Sequence, residues 1–165
     1  MKELRVLIES LAPAGEEQLS AWFTLPIDAD VFEERLNVSM DSEDYRIIEK
    51  ELPFADEVKE DTIAGQLNNL YTLFTELPSD MQEDCEELLC FYTSLEELHT
   101  QRNEIIHYPL CKNMTDVART VLEQSPAYNT LSESILRYFD FEGYGQYLDD
   151  NGKFVETDHG IYELP

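Results

Sequence analysis

The sequence predicts an α+β fold in three zones packed end to end: a ββαβ unit, a helical bundle and a mixed α+β unit. Three observations carry this: β-branched and aromatic runs up to residue 61, a helical apolar period over 62–103, and mixed patterning over 104–165. In the first zone Leu4–Leu11, Leu19–Pro26 and Tyr45–Leu52 partly alternate and read as strands, with Pro13 and Gly15 turning the chain between the first two. Asp28–Asn37 carries Val31, Phe32 and Leu36 as an apolar stripe and reads as a helix, and Pro53, which cannot donate to a ladder, closes the third strand. Residues 1–61 are thus expected as a ββαβ domain, with Trp22 and Phe23 both in its core.

In the second zone Ile63, Leu67, Leu70, Tyr71, Phe74 and Leu77 define one amphipathic helix. Met81, Cys85, Leu88, Leu89 and Tyr92 define another after Pro78. Ser79 with Gln82, and Ser94 with Glu97, have capping-box spacing, so helices are expected to begin at both serines. Residues 62–103 become a small helical bundle. The third zone, 104–165, predicts a strand at Glu104–Tyr108 and helices near Thr115–Gln124 and Ser132–Tyr138. A helix from about Asp140 follows, ended by Gly152 at a C′ position, and then strands at Lys153–Glu156 and Gly160–Leu164.

Charge is the dominant compositional fact: 36 acidic against 11 basic residues, a formal net charge of −25. A nucleic-acid binder must neutralise phosphates with Lys and Arg, yet no two basic residues are adjacent, so direct DNA binding is excluded, as is an anionic membrane. No apolar run approaches the roughly 20 residues of a membrane span, and the N-terminus lacks a signal peptide's apolar stretch, so a cytoplasmic location is expected. Cys85, Cys90 and Cys111 have neither disulfide-framework nor zinc-site spacing. The summed field attracts a cation or a basic protein. Duplex DNA carries one charge per roughly 1.7 Å, so a net charge of −25 matches about 42 Å, or about a dozen base pairs. Imitating a longer duplex requires an elongated shape or a dimer.

Residues 60–101 hold ten acids and no Lys or Arg. On the expected Ser79–Tyr92 helix, Asp80/Asp84 and Glu83/Glu87 are like-charge i,i+4 pairs, each costing about 0.2–0.5 kcal/mol, and they face away from Met81, Cys85, Leu88 and Leu89. Fixed carboxylates facing solvent resemble spaced phosphates. A second run, Asp41–Asp61, is partly relieved by Arg46, Lys50 and Lys59. The candidate phosphate-mimicking surface comprises Asp28, Asp30, Glu33 and Glu34 of the first helix, then Asp41, Glu43, Asp44, Asp56, Glu57, Glu60 and Asp61. It continues through Glu76, Asp80, Glu83, Asp84, Glu86, Glu87, Glu96 and Glu97.

Enzyme readings find little support. His99, His107 and His159 lack H-E-x-x-H spacing and read as structural. No nucleophile elbow, phosphate loop or dinucleotide fingerprint is present, and Asp149-x-Asn151-Gly152 matches only part of a calcium loop, with Tyr147 where its first carboxylate belongs. No catalytic residue, metal or cofactor is expected. Tyr138, Phe139, Asp140, Phe141 and Glu142, with Tyr144 and Tyr147, put more large and charged groups together than one small core can take, so an exposed patch suited to self-association is a second candidate region.

Several segments together resemble the ArdA antirestriction proteins, small acidic proteins typically encoded on mobile elements. They are Ala21-Trp22-Phe23-Thr24-Leu25-Pro26-Ile27-Asp28, Glu51-Leu52-Pro53-Phe54, Leu67-Asn68, Tyr138-Phe139-Asp140-Phe141-Glu142 with Tyr144-Gly145, and His159-Gly160-Ile161-Tyr162. The resemblance implies an elongated chain of three small domains that forms a homodimer through the C-terminal one, with carboxylates imitating bent duplex DNA. Such a protein would occupy the DNA-binding cleft of type I restriction–modification enzymes and block cleavage and methylation. Its partners would be their DNA-binding subunits. Gly143, Gln146 and Tyr147 depart from the family pattern of an alanine, an arginine and an acid, and Lys50 stands where an aromatic is usual. The alternative is an acidic adaptor for another basic protein of the same mobile element.

Overall fold

The computed structural model describes residues 3–11 and 17–165; the turn expected at Pro13 and Gly15 lies outside them. The described residues form a mixed α+β fold with eight α-helices and two three-stranded antiparallel sheets. They divide into two compact units, Met1–Thr100 and Gln101–Pro165.

In the first unit β1 (Arg5–Ser10) is the central strand of a sheet ordered β2-β1-β3, flanked by β2 (Ser20–Thr24) and β3 (Tyr45–Glu51). Alternation along β1 turns Val6 and Ile8 inward and leaves Arg5, Leu7 and Glu9 partly exposed. Helix α1 (Ala29–Leu36) closes the inner face through Phe32 and Leu36, and the Phe32 ring lies 5.2 Å from that of Phe23 and 4.8 Å from that of Tyr45. Burying each such side chain is worth about 1.5–3 kcal/mol. Asp28 starts α1 by accepting the backbone N–H groups of Asp30 and Val31, both at 3.0 Å, and Asn37 ends it with a left-handed φ of 55°. Trp22 departs from the expected core position. Successive strand residues face opposite ways, so Phe23 is buried while Trp22, paired with Leu7, lies on the outer face under the Arg5 guanidinium.

Helices α2 (Ala64–Thr75), α3 (Ser79–Glu83), α4 (Cys85–Leu89) and α5 (Leu95–Gln101) follow. The side chain of Asn68 on α2 clamps the Ile27 backbone, accepting its N–H at 2.7 Å and donating to its carbonyl at 3.0 Å. The Tyr45 hydroxyl accepts the Ala64 N–H at 2.8 Å, and the Phe54 and Phe74 rings lie 6.0 Å apart. These ties bind the helical zone to the sheet. The single helix expected from Ser79 to Tyr92 is interrupted at Asp84 (φ −103°, ψ 16°), which separates α3 from α4. Nor does Ser79 form a capping box: Pro78 is the N-cap, and the Gln82 amide donates to the Leu77 carbonyl at 2.8 Å. At Ser94 the hydroxyl does accept the Glu97 N–H at 3.1 Å, while the Glu97 carboxylate accepts the Thr93 N–H at 3.0 Å.

The second unit contains β4 (Ile106–Tyr108), α6 (Met114–Glu123), α7 (Glu133–Arg137), α8 (Phe141–Asn151), β5 (Lys153–Thr157) and β6 (Gly160–Leu164). Its sheet is ordered β4-β6-β5. Tyr108, Cys111, Val117 and Ile161 form its core, with Met114, Val121, Leu148 and Phe154 packed around them. Gly152 ends α8, though in an extended conformation (φ −132°) rather than the expected left-handed one. Its missing side chain instead makes room for the Phe154 ring, which a Cβ would approach to 2.8 Å.

Candidate protein-binding surface

Charge is unevenly divided between the units. Met1–Thr100 carries 25 acidic and 6 basic side chains, a net −19, whereas Gln101–Pro165 carries 11 and 5, a net −6. In the first unit Asp30, Glu33 and Glu34 are exposed around α1, whose buried side is Phe32 and Leu36. Asp28 is exposed as well while capping that helix. Asp41, Glu43 and Asp44 are exposed before β3, and Asp56, Glu60 and Asp61 after it. Glu76 is exposed at the end of α2, and Glu83, Glu86, Glu87 and Glu96 along the short helices, while Asp80 and Glu97 are half-buried.

Two candidates stand elsewhere. Asp84 is only 1% exposed, inside the break between α3 and α4, so it is not part of the solvent-facing surface expected of it. The break also places Glu83 and Glu87 on separate helices. Glu57 is half-buried, and its carboxylate accepts the Leu95 N–H at 2.9 Å, tying the 3-10 turn Ala55–Glu57 to the start of α5. Burial pushes the Glu57 carboxyl above its ordinary range, with the Leu95 bond acting in the opposite direction.

Several basic groups of this unit hold backbone rather than neutralise acids. Arg35 donates to the Trp22 carbonyl at 2.9 Å and lies over the Phe23 ring, and the Lys50 ammonium donates to the carbonyls of Ala55 and Val58. Lys50 thereby fixes the turn that displays Asp56. Arg5 pairs with Glu51 and Arg46 with Glu60, both pairs exposed and of the kind worth about 0–1 kcal/mol. Beneath the short helices Cys85 is buried, and burial first, then the charges of Glu57, Glu87 and Glu86, push its thiol up to about 12, which removes it as a nucleophile at neutral pH.

In the second unit the aromatic region splits in two. Phe139, Phe141 and Tyr144 are half-buried in a ring cluster, with Phe139 centred 4.7 Å from Phe141 and 5.8 Å from Tyr144. Arg119 lies 4.3 Å above Phe141. Tyr138 and Tyr147 point out, 83% and 60% exposed. Asp140 caps α8 by accepting the Gly143 N–H at 2.9 Å, and Glu142 is exposed. Gly145 is buried where α8 crosses the start of α6; a Cβ there would lie 2.6 Å from the Met114 carbonyl. His107 stacks on Tyr162 with ring centroids 4.1 Å apart, and its Nε2 meets the His159 carbonyl oxygen at 2.9 Å.

Sequence reasoning missed Asn68 and Arg35 as organising residues. For the first the signals were a polar residue beside the apolar stripe of α2 and its place in the Leu67-Asn68 segment, and the second carried none. Among the described residues no group of three His, Cys, Asp or Glu side chains could hold a metal ion, and no helix is long and apolar enough to cross a membrane.

A mixed α+β fold whose most developed chemistry is solvent-facing carboxylate defines an acidic surface-presenting protein. Residues 16–163 match the family model described as antirestriction protein (ArdA), and the chain belongs to that family. Its function is antirestriction: the family is one of inhibitors rather than catalysts, and restriction–modification enzymes are the partners it points to. A comparison with curated proteins gives no match.

Proposed function

We propose that this chain is a DNA mimic that occupies the DNA-binding cleft of type I restriction–modification enzymes and blocks both cleavage and methylation. The observation that carries the reading is the concentration of charge: a net −19 on residues 1–100, with 15 of the 19 candidate acids of that unit exposed. A cleft lined with Lys and Arg for phosphates gains from any dense array of fixed carboxylates, and charge of this density steers the encounter. Tyr138 and Tyr147 supply exposed aromatic area for a homodimer, which would extend the array toward the length of a bound duplex.

The test is a purified type I methyltransferase mixed with labelled duplex and increasing amounts of this protein. Release of the duplex, without a species containing all three, is the expected result. A stable ternary complex would instead favour an acidic adaptor that uses a different surface of its partner.

A further inference from the structure

Along the outer face of the first sheet, Trp22, Leu7 and Ile48 form an apolar diagonal across all three strands. Leu7 is paired with Trp22 on one side and Glu49 on the other, and Ile48 sits in the register shift beside it, 47% exposed. Around this diagonal stand Glu9, Glu49 and Glu51, with Arg5 drawn over Trp22 at 4.6 Å and paired to Glu51. Leu7 and Trp22 lie opposite the buried side of the sheet, so the inner core does not account for them.

We infer that this face is the apolar centre of the chain's contact with a basic DNA-binding protein, seated around Trp22, while the surrounding carboxylates steer and orient it. The inference rests on the DNA-mimic reading and names where its non-electrostatic affinity resides. Charge complementarity selects the occupant. A second copy would bring another acidic rim of Glu9, Glu49 and Glu51 against the first within a unit of net −19, whereas a Lys- and Arg-lined partner meets that rim favourably and still finds apolar area to bury. Energetically dominant interface positions are typically Trp, Tyr or Arg at the centre of a patch, ringed by contacts that exclude water. Trp22 with Arg5 over it, inside a polar rim, has that composition.

The full-length protein, Trp22→Ser and Ile48→Ser are each titrated against the methyltransferase–duplex complex at several salt concentrations, with circular dichroism and melting to establish folding. The expected result is a loss of displacing power of about tenfold or more for Trp22→Ser and a smaller loss for Ile48→Ser, with the salt dependence of displacement unchanged because no charge has been removed. Trp22 is the single tryptophan, so fluorotryptophan substitution gives one fluorine NMR resonance, which should move when unlabelled enzyme is added even if a variant fails to fold. Folded variants as potent as the parent, or a resonance unmoved by saturating enzyme, overturn this inference alone. A parent chain that displaces no duplex overturns the DNA-mimic reading together with it.

Discussion

Glu57 illustrates how one carboxylate can be structural within a surface of otherwise solvated ones. Its carboxyl group is held above the ordinary range by burial, so the folded state keeps that proton to higher pH than the unfolded chain does. Its contribution to stability is therefore greatest below the unfolded value and declines as pH rises through the folded one. Glu57→Gln keeps an acceptor for the Leu95 N–H and removes the buried charge, so its Tm at pH 7 should equal or exceed that of the parent, the advantage disappearing in acid. Glu57→Ala should lose about 1 kcal/mol through the orphaned N–H. Thermal melts of the three proteins across pH 4–7 check this. Asp84 is the contrasting case: Asp84→Ala should cost about 1–3 kcal/mol in urea unfolding, whereas the exposed Glu83→Ala and Glu86→Gln should stay within about 0.5 kcal/mol. Sequence could not separate these residues, because an acid at helical spacing reads as solvent-facing whether or not the helix continues through it.

At the scale of elements, most boundaries were legible because the apolar period changes where the backbone does. Val6 and Ile8 alternate, Leu67, Leu70 and Phe74 recur at helical spacing, and Pro53 and Pro78 punctuate. The break at Asp84 was not legible, since Met81, Cys85 and Leu88 suit a continuous helix equally well and the interruption depends on tertiary packing. Trp22 differs from the expectation for a related reason: two adjacent aromatics suggest a shared core, whereas strand alternation sends one of the two neighbours outward. In the sequence Gly145 stands out only within the Tyr144-Gly145 segment, yet its place against α6 shows a packing requirement. Gly145→Ala should force α8 from the Met114 carbonyl and destabilise the protein by about 1–3 kcal/mol, overriding the helix propensity that alanine would add. A urea midpoint equal to or above that of the parent would refute the packing argument.

For the whole molecule the governing quantity is a net charge of −25, with −19 of it on residues 1–100. Self-repulsion on this scale opposes folding and is screened by salt, so raising sodium chloride from low to moderate concentration should raise Tm; an unchanged Tm would mean that the charges repel little. Affinity for a basic cleft should respond in the opposite sense, falling as salt rises. Single exposed carboxylates should matter little, while neutralising Asp30, Glu33 and Glu34 together with Glu83, Glu86 and Glu87 should weaken inhibition progressively. The charge was plain from composition, and the family from a handful of short segments. Which carboxylates reach solvent required the fold, because capping by Asp28 and burial of Asp84 are decided by neighbours distant from any charge pattern. The most direct test is the initial rate of methyl transfer by a type I methyltransferase, measured against duplex concentration at several fixed concentrations of this protein. Occupation of the DNA cleft predicts an apparent KM for DNA that rises with inhibitor while kcat stays constant. A falling kcat at unchanged KM, or no inhibition at all, would contradict it.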